Sequence, residues 1–71
     1  DLLCIGKGLA SGMPLSACLG LASVFEAWPR SAGEALHTQT FLGHPASCAA
    51  ALASLETSAR LDLPARARRL G

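Results

Sequence analysis

The only lysine in this chain of 71 residues, Lys7, lies between two glycines directly after a short apolar run. A lysine at the end of a buried strand loses hydration, and desolvation disfavours its charged ammonium form. A neutral lysine amine is a nucleophile that forms a Schiff base with a carbonyl compound. The flanking Gly6 and Gly8 would let a bulky partner approach the backbone. The alternative is a strand-end lysine whose amine reaches out to water, and the spacing alone leaves both interpretations open.

A second group of polar side chains, HTQTFLGHP (37–45), precedes the strongest helix pattern in the chain. Thr40 lies five residues before Pro45, and proline suits the first position of a helix. The N-terminus of a helix favours an anion through its N–H groups and its dipole, and a threonine hydroxyl can add one more donor. Thr38 and Thr40 could equally be ordinary strand residues, so an anion site and a structural role both stay open.

Other common chemistries find no support in the spacing. The lysine stretch lacks two residues of a P-loop, and Ser11 replaces the third glycine of a dinucleotide-binding turn. The histidines and the isolated cysteines show no metal-ligand spacing, so we predict no metal site. The cysteines, an odd number without close pairs, are expected to be small core residues in a reducing compartment; they are Cys4, Cys18 and Cys48.

The composition suits the interior of a larger protein. Apolar residues make up 51% and charged residues 15% of the chain, whereas a typical soluble domain carries about 25% charged residues. The net charge of +1 is too small to drive binding to nucleic acid or to an anionic membrane, so we expect neither partner. Without a recognisable signal peptide or an apolar run long enough to span a bilayer, the chain is expected to be cytoplasmic.

The elements that must position Lys7 and Thr40 follow from hydrophobic patterning and turn residues. The first apolar run predicts a buried strand, with parallel pairing because neither face is polar. Ser23 is expected to cap the first helix, and Pro45 to open the longest one. The predicted elements are strands over 1–5 and 15–22, a loop over 6–14, a polar connection over 29–36, an extended segment over 37–41, and helices over 23–28, 43–61 and 63–71.

Two ordered stretches, DLLCIGKGLASGMPLSA (1–17) and HTQTFLGHPASCAAALASLE (37–56), resemble the class III aminotransferases. These are pyridoxal-phosphate enzymes of fold type I, and the resemblance covers roughly residues 1–56. It implies an α/β chain that is a fragment of the cofactor-binding large domain. We expect no complete domain boundary inside residues 1–71.

The resemblance also implies roles for individual residues. Lys7 stands where the family's lysine holds pyridoxal 5′-phosphate through a Schiff base and later moves a proton from substrate to cofactor. Thr40 stands where a threonine hydrogen-bonds the cofactor phosphate of the neighbouring subunit, which implies a homodimer. Gly43, His44 and Pro45 match the turn that opens the next helix, although many members have asparagine in place of His44. Histidine at this position should leave the phosphate contact intact but is expected to shift substrate preference.

The implied activity is transfer of an amino group from an amino donor to an oxo acid, with the donor open between ornithine-like, acetylornithine-like and 4-aminobutyrate-like compounds. The family's groups for the pyridine nitrogen, for ring stacking and for the substrate carboxylate lie outside these residues. We therefore expect the isolated segment to be inactive. The alternatives are a related aminomutase, racemase or decarboxylase with the same cofactor, or a catalytically silent small α/β module that packs on a partner.

Overall fold

Short strands and helices form a small α/β arrangement, as predicted. The structure is a computed structural model that describes residues 1–35 and 37–71. Leu36, the last residue of the predicted polar connection, lies outside the described residues. The elements in chain order are β1 (Leu2–Ile5), a 3₁₀ turn (Lys7–Ala10), β2 (Ala17–Gly20), α1 (Ala22–Glu26), α2 (Pro45–Arg60) and α3 (Leu63–Leu70). The 3₁₀ turn is called the lysine turn below.

β1 and β2 pair in antiparallel fashion, which corrects the predicted parallel pairing. The residues that join them, 6–16, are too few for the crossover that a parallel pair requires, so the chain returns as a hairpin. Leu3 and Leu19 lie directly opposite each other and are 58% and 51% exposed. The predicted burial of the first strand is therefore also wrong, because the described helices cover little of the hairpin.

The two C-terminal helices form close to their predicted bounds. Pro45 is the first residue of α2, and the alanine- and leucine-rich sequence that follows has high helix propensity. His44 caps α2: its Nδ1 accepts a hydrogen bond from the Ser47 N–H at 3.3 Å. Asp62 caps α3 by accepting from the Ala65 N–H at 3.3 Å. No helix within residues 1–35 and 37–71 is long and apolar enough to cross a membrane.

α1 differs from its prediction in length and in capping. It begins at Ala22 and ends at Glu26, and its N-cap residue is Leu21 without a side-chain hydrogen bond. Ser23 therefore lies inside the helix and not at its cap. Since the first turn lacks a cap, α1 is the least supported helix of the described chain.

The lysine turn packs on one face of α2, and this contact contains the buried residues of the described chain. Ala10 and Ser47 have no exposed surface, and Ala51 is 6% exposed. Ser47, Ala51 and Ser54 share one face because they are spaced at helical intervals. Ser11 Oγ donates to Ser54 Oγ at 3.4 Å across the same contact. Since all these side chains are small, the turn can approach the helix backbone closely.

Away from this contact the chain is extended and its apolar surface is open. The radius of gyration is 15.5 Å, whereas a compact domain of this length has about 11 Å. The accessible surface is 6005 Å², against about 4,100 Å² for a folded protein of this mass. Exposed apolar side chains occur on the hairpin, on α1 and on α2, and include Leu2, Phe25 and Leu52. The described residues therefore lack a core large enough for a stable domain.

We predict that the isolated 71-residue chain unfolds without a cooperative transition. Burial of a few small side chains cannot offset the conformational entropy lost on ordering the chain. Circular dichroism in increasing urea should show a gradual loss of helical signal, and an apolar dye should bind the chain before urea is added. A single sigmoidal transition with one midpoint by circular dichroism and by Trp28 fluorescence would contradict this prediction.

The cap at the start of α2 gives a second prediction, for a peptide that spans residues 41–61. His44→Ala removes the acceptor for the Ser47 N–H and should lower helix stability by about 1 kcal/mol. His44→Asn is the matched control, because asparagine is a strong N-cap residue and should retain the helix. Far-ultraviolet circular dichroism measures the helix content. Equal helicity of the alanine variant and the unaltered peptide would show that His44 does not cap the helix.

Candidate functional site

Lys7 opens the lysine turn directly after β1, and its side chain is exposed. The predicted desolvation of its amine is therefore wrong for this chain, because the described residues do not cover it. Its backbone lies in the left-handed region, with φ of 52°, which costs a non-glycine residue about 1–2 kcal/mol. Such unfavourable backbone conformations are concentrated at functional sites. Lys7 thus has an unusual backbone but an accessible amine.

The Lys7 side chain lines a cavity of about 480 Å³, called the lysine cavity below. Ile5 and Ala17, at the ends of β1 and β2, contribute to its wall. Gln39 and Leu42, from the segment before α2, contribute from the other side. Two segments that are far apart in sequence therefore meet beside the only lysine of the chain.

The residues directly before α2 form two successive turns and not the predicted extended segment. The Leu42 N–H donates to the Gln39 carbonyl oxygen at 3.1 Å, and the His44 N–H donates to the Phe41 carbonyl oxygen at 3.1 Å. We call residues 39–44 the threonine turn. Because the second turn leads directly into the first residue of α2, the threonine turn and the helix form one continuous unit.

Thr40 lies inside the first of these turns, and its side chain is exposed. Its neighbours Gln39 and Leu42 line the lysine cavity, but Thr40 is not among the described residues that do so. The structure therefore brings the segment that carries Thr40 close to Lys7 without placing both side chains in one cavity. Gly43 has φ of 67°, in the left-handed region that favours glycine, so the turn depends on a glycine there.

Two backbone N–H groups in the first turn of α2 already donate hydrogen bonds within the chain. The Ser47 N–H donates to His44 Nδ1, and the Cys48 N–H donates to the His44 carbonyl oxygen at 3.0 Å. The His44 ring also packs edge-on against Phe41, with ring centroids 5.7 Å apart. His44 thus caps α2 and also packs against the turn that precedes it.

The cysteines depart from their predicted role as buried residues. All of them are exposed thiols, and Cys4 lies directly opposite Cys18 in the hairpin, with the two Sγ atoms 3.7 Å apart. The hydrogen bond with Cys4, then desolvation and then the charge of Cys4, raise the pKa of the Cys18 thiol. Spacing could not reveal this contact because it depends on the register between the strands. Among residues 1–35 and 37–71, no group of three or more His, Cys, Asp or Glu side chains could hold a metal ion.

Comparison of the sequence with known proteins identifies a family. The sequence profile of the family described as Aminotransferase class-III matches residues 1–71. The chain is 44% identical over 70 residues to the 4-aminobutyrate aminotransferases of Mycobacterium bovis and Mycobacterium tuberculosis. That alignment covers 99% of this chain but only 15% of the length of these relatives. No solved structure matches the chain. The match along its whole length confirms the predicted resemblance, and the chain belongs to the class III aminotransferase family.

Proposed function

We propose that these residues form part of the cofactor-binding large domain of a fold type I aminotransferase. The whole protein would transfer an amino group from a 4-aminobutyrate-type donor to an oxo acid. The observation that carries this proposal is the family match along all 71 residues, with 44% identity to 4-aminobutyrate aminotransferases. Since the chain spans 15% of the length of those relatives, the activity is assigned to a larger protein. The exposed apolar faces of the hairpin and α2 are surfaces on which the rest of such a domain would pack.

The described residues fit part of what pyridoxal 5′-phosphate requires. When bound, this cofactor supplies an aldehyde that forms a Schiff base with an amine and a ring that accepts electrons. Lys7 offers a primary amine beside a cavity of about 480 Å³. Thr40 offers an exposed hydroxyl on the turn before α2. The donor set thus contains a nucleophile for the aldehyde and a hydrogen-bond donor for the phosphate.

Lys7 would perform two tasks. Its Nζ would hold the cofactor through a bond to the aldehyde carbon and would become free when the amino donor takes its place. The free Nζ would then act as the base that removes a proton from the donor carbon that bears the amino group, with the electrons left behind passing into the cofactor ring. One side chain can do both because a neutral amine is a nucleophile and also a base. The packing of the lysine turn on α2 would hold the backbone of this residue in place.

Thr40 would donate a hydrogen bond to the cofactor phosphate of a second subunit. In support of this role, Thr40 is exposed but lies outside the described lining of the lysine cavity of its own chain. If each site combines Lys7 of one chain with Thr40 of the other, Thr40 need not line the lysine cavity of its own chain. The proposal therefore includes a homodimer. His44 supports Thr40 indirectly, because its contacts with Ser47 and Phe41 fix the turn against the helix.

We expect borohydride reduction of the full-length protein in the presence of pyridoxal 5′-phosphate to attach the cofactor to Lys7. Modification of Lys7 blocks tryptic cleavage there, so the tag should appear on a peptide that continues through Lys7 to Arg30. Lys7→Arg is the matched control: it keeps the positive charge, but a guanidinium does not lose its proton in proteins. This variant should lack the tag and should not convert 4-aminobutyrate and 2-oxoglutarate.

Each other outcome of this experiment has a distinct meaning. Stoichiometric cofactor binding without an adduct at Lys7 would refute the lysine's role and would favour a catalytically silent module. A tagged Lys7 with racemisation or decarboxylation, but no amino transfer, would identify a related enzyme with the same cofactor. Turnover by the isolated 71 residues would refute the assignment of activity to a larger protein.

Thr40→Ala should weaken the binding of pyridoxal 5′-phosphate to the apoprotein roughly tenfold to a hundredfold. The reason is the loss of a hydrogen bond to a charged group, which contributes about 1.5–3 kcal/mol. Thr40→Ser keeps the hydroxyl and should bind almost as tightly as the unaltered protein. Titration followed by cofactor absorbance gives both dissociation constants. Unchanged affinity of the alanine variant would rule out the phosphate contact.

Mixed dimers test whether Thr40 acts across the subunit interface. A dimer of one Lys7→Arg subunit and one Thr40→Ala subunit contains one intact site only if each site combines Lys7 of one chain with Thr40 of the other. The Thr40→Ala subunit keeps the one Lys7 of this mixed dimer. We therefore expect that lysine to bind the cofactor tightly and to be tagged by borohydride. If its binding stays as weak as in the Thr40→Ala homodimer, Thr40 serves its own chain.

A further inference from the structure

We propose that Cys4 and Cys18 form a thiol pair that a hydroperoxide converts into a cross-strand disulfide in the wall of the lysine cavity. The two residues are direct partners in the register of β1 and β2. Their Sγ atoms are 3.7 Å apart, and Cys4 donates a weak hydrogen bond to Cys18. Both thiols are exposed, and both line the lysine cavity. The proposed amino transfer gives neither thiol a task, so it does not account for their contact.

The backbone of the hairpin is placed for this bond without movement of the strands. Residues directly opposite each other in an antiparallel pair have Cα atoms about 4.5–5.5 Å apart. Disulfides span Cα separations of about 4.4–6.8 Å. Opposite residues therefore lie within this range whether or not the pair is hydrogen-bonded through its backbone. The side chains of opposite residues also point to the same face of the sheet. Rotation about the two Cα–Cβ bonds is therefore enough to bring the sulfurs to a bonded distance of about 2.05 Å.

The oxidation has two steps. One thiolate sulfur attacks the peroxide, so that an S–O bond forms, the O–O bond breaks and an alcohol or water leaves. The second sulfur then attacks the oxidised sulfur, so that the S–S bond forms, the S–O bond breaks and water leaves. Overall the two thiols lose two electrons and two protons, and the hydroperoxide is reduced to an alcohol and water. The second step is intramolecular, and the short distance between the sulfurs favours it.

Cys48 provides an internal control, because it is an exposed thiol on a different element, α2. Trypsin separates the three cysteines: Cys4 lies on the peptide that ends at Lys7, Cys18 on residues 8–30 and Cys48 on residues 31–60. A mass spectrum without reduction can therefore assign any link between them.

The experiment treats the full-length protein with hydrogen peroxide, blocks remaining thiols with N-ethylmaleimide and digests it without a reductant. The expected result is a linked species of the peptide ending at Lys7 and the peptide 8–30, which dithiothreitol separates. Maleimide labelling of Cys4 and Cys18 should be lost in equal amounts. Cys48→Ser should keep the link, and Cys4→Ser should abolish it.

Recovery of Cys4 and Cys18 as two labelled thiols, under conditions that oxidise Cys48, would overturn the proposal. Links that join Cys4 or Cys18 to Cys48, or to another subunit, would do the same. The measurement requires neither bound cofactor nor turnover, so its outcome is independent of the proposed aminotransferase activity.

Discussion

The close contact between the lysine turn and α2 is the interaction on which the rest of the described structure depends. Ala10 and Ser47 are completely buried there, and Ala51 nearly so. None of these side chains extends far from the backbone, so the turn lies directly on the helix. Lys7 begins this turn, and α2 follows the threonine turn without an intervening segment. The packing of small residues therefore sets the position of the Lys7 backbone relative to the region that carries Thr40, although more than thirty residues separate them in sequence.

Local hydrogen bonds determine the shape of this arrangement, but they do not provide its stability. Capping by His44 and the hydrogen bonds of the threonine turn are specified by nearby residues. The hairpin, in contrast, exposes apolar side chains such as Leu3 and Leu19, and an isolated two-stranded hairpin is at best marginally stable in water. In the proposed large domain, further chain would cover these apolar surfaces. Local sequence would then determine the shape of the site, and the surrounding domain would supply the energy that maintains it.

Features set by local sequence could be predicted, whereas features set by long-range packing could not. Pro45 and the alanine-rich run after it identify α2, because capping and propensity act over a few residues. Lys7 and Thr40 lie in the two stretches that resemble the family, whose match is confirmed; their catalytic and cofactor-binding roles stay predictions. The antiparallel pairing, the exposure of Lys7 and the contact of Cys4 with Cys18 were missed. All three depend on long-range packing: on loop length and strand register for the hairpin, and on which elements cover the amine.

The junction between α2 and α3 restricts how this part of the chain can vary during evolution. Asp62 adopts a left-handed conformation, with φ of 44° and ψ of 53°, and its carboxylate accepts a hydrogen bond from the first turn of α3. Asparagine can reproduce both features and glycine the conformation alone, whereas a β-branched residue would redirect the second helix. Sequence drift should therefore accumulate on the exposed arginine-bearing surface of α3, while the junction itself stays within a narrow set of residues.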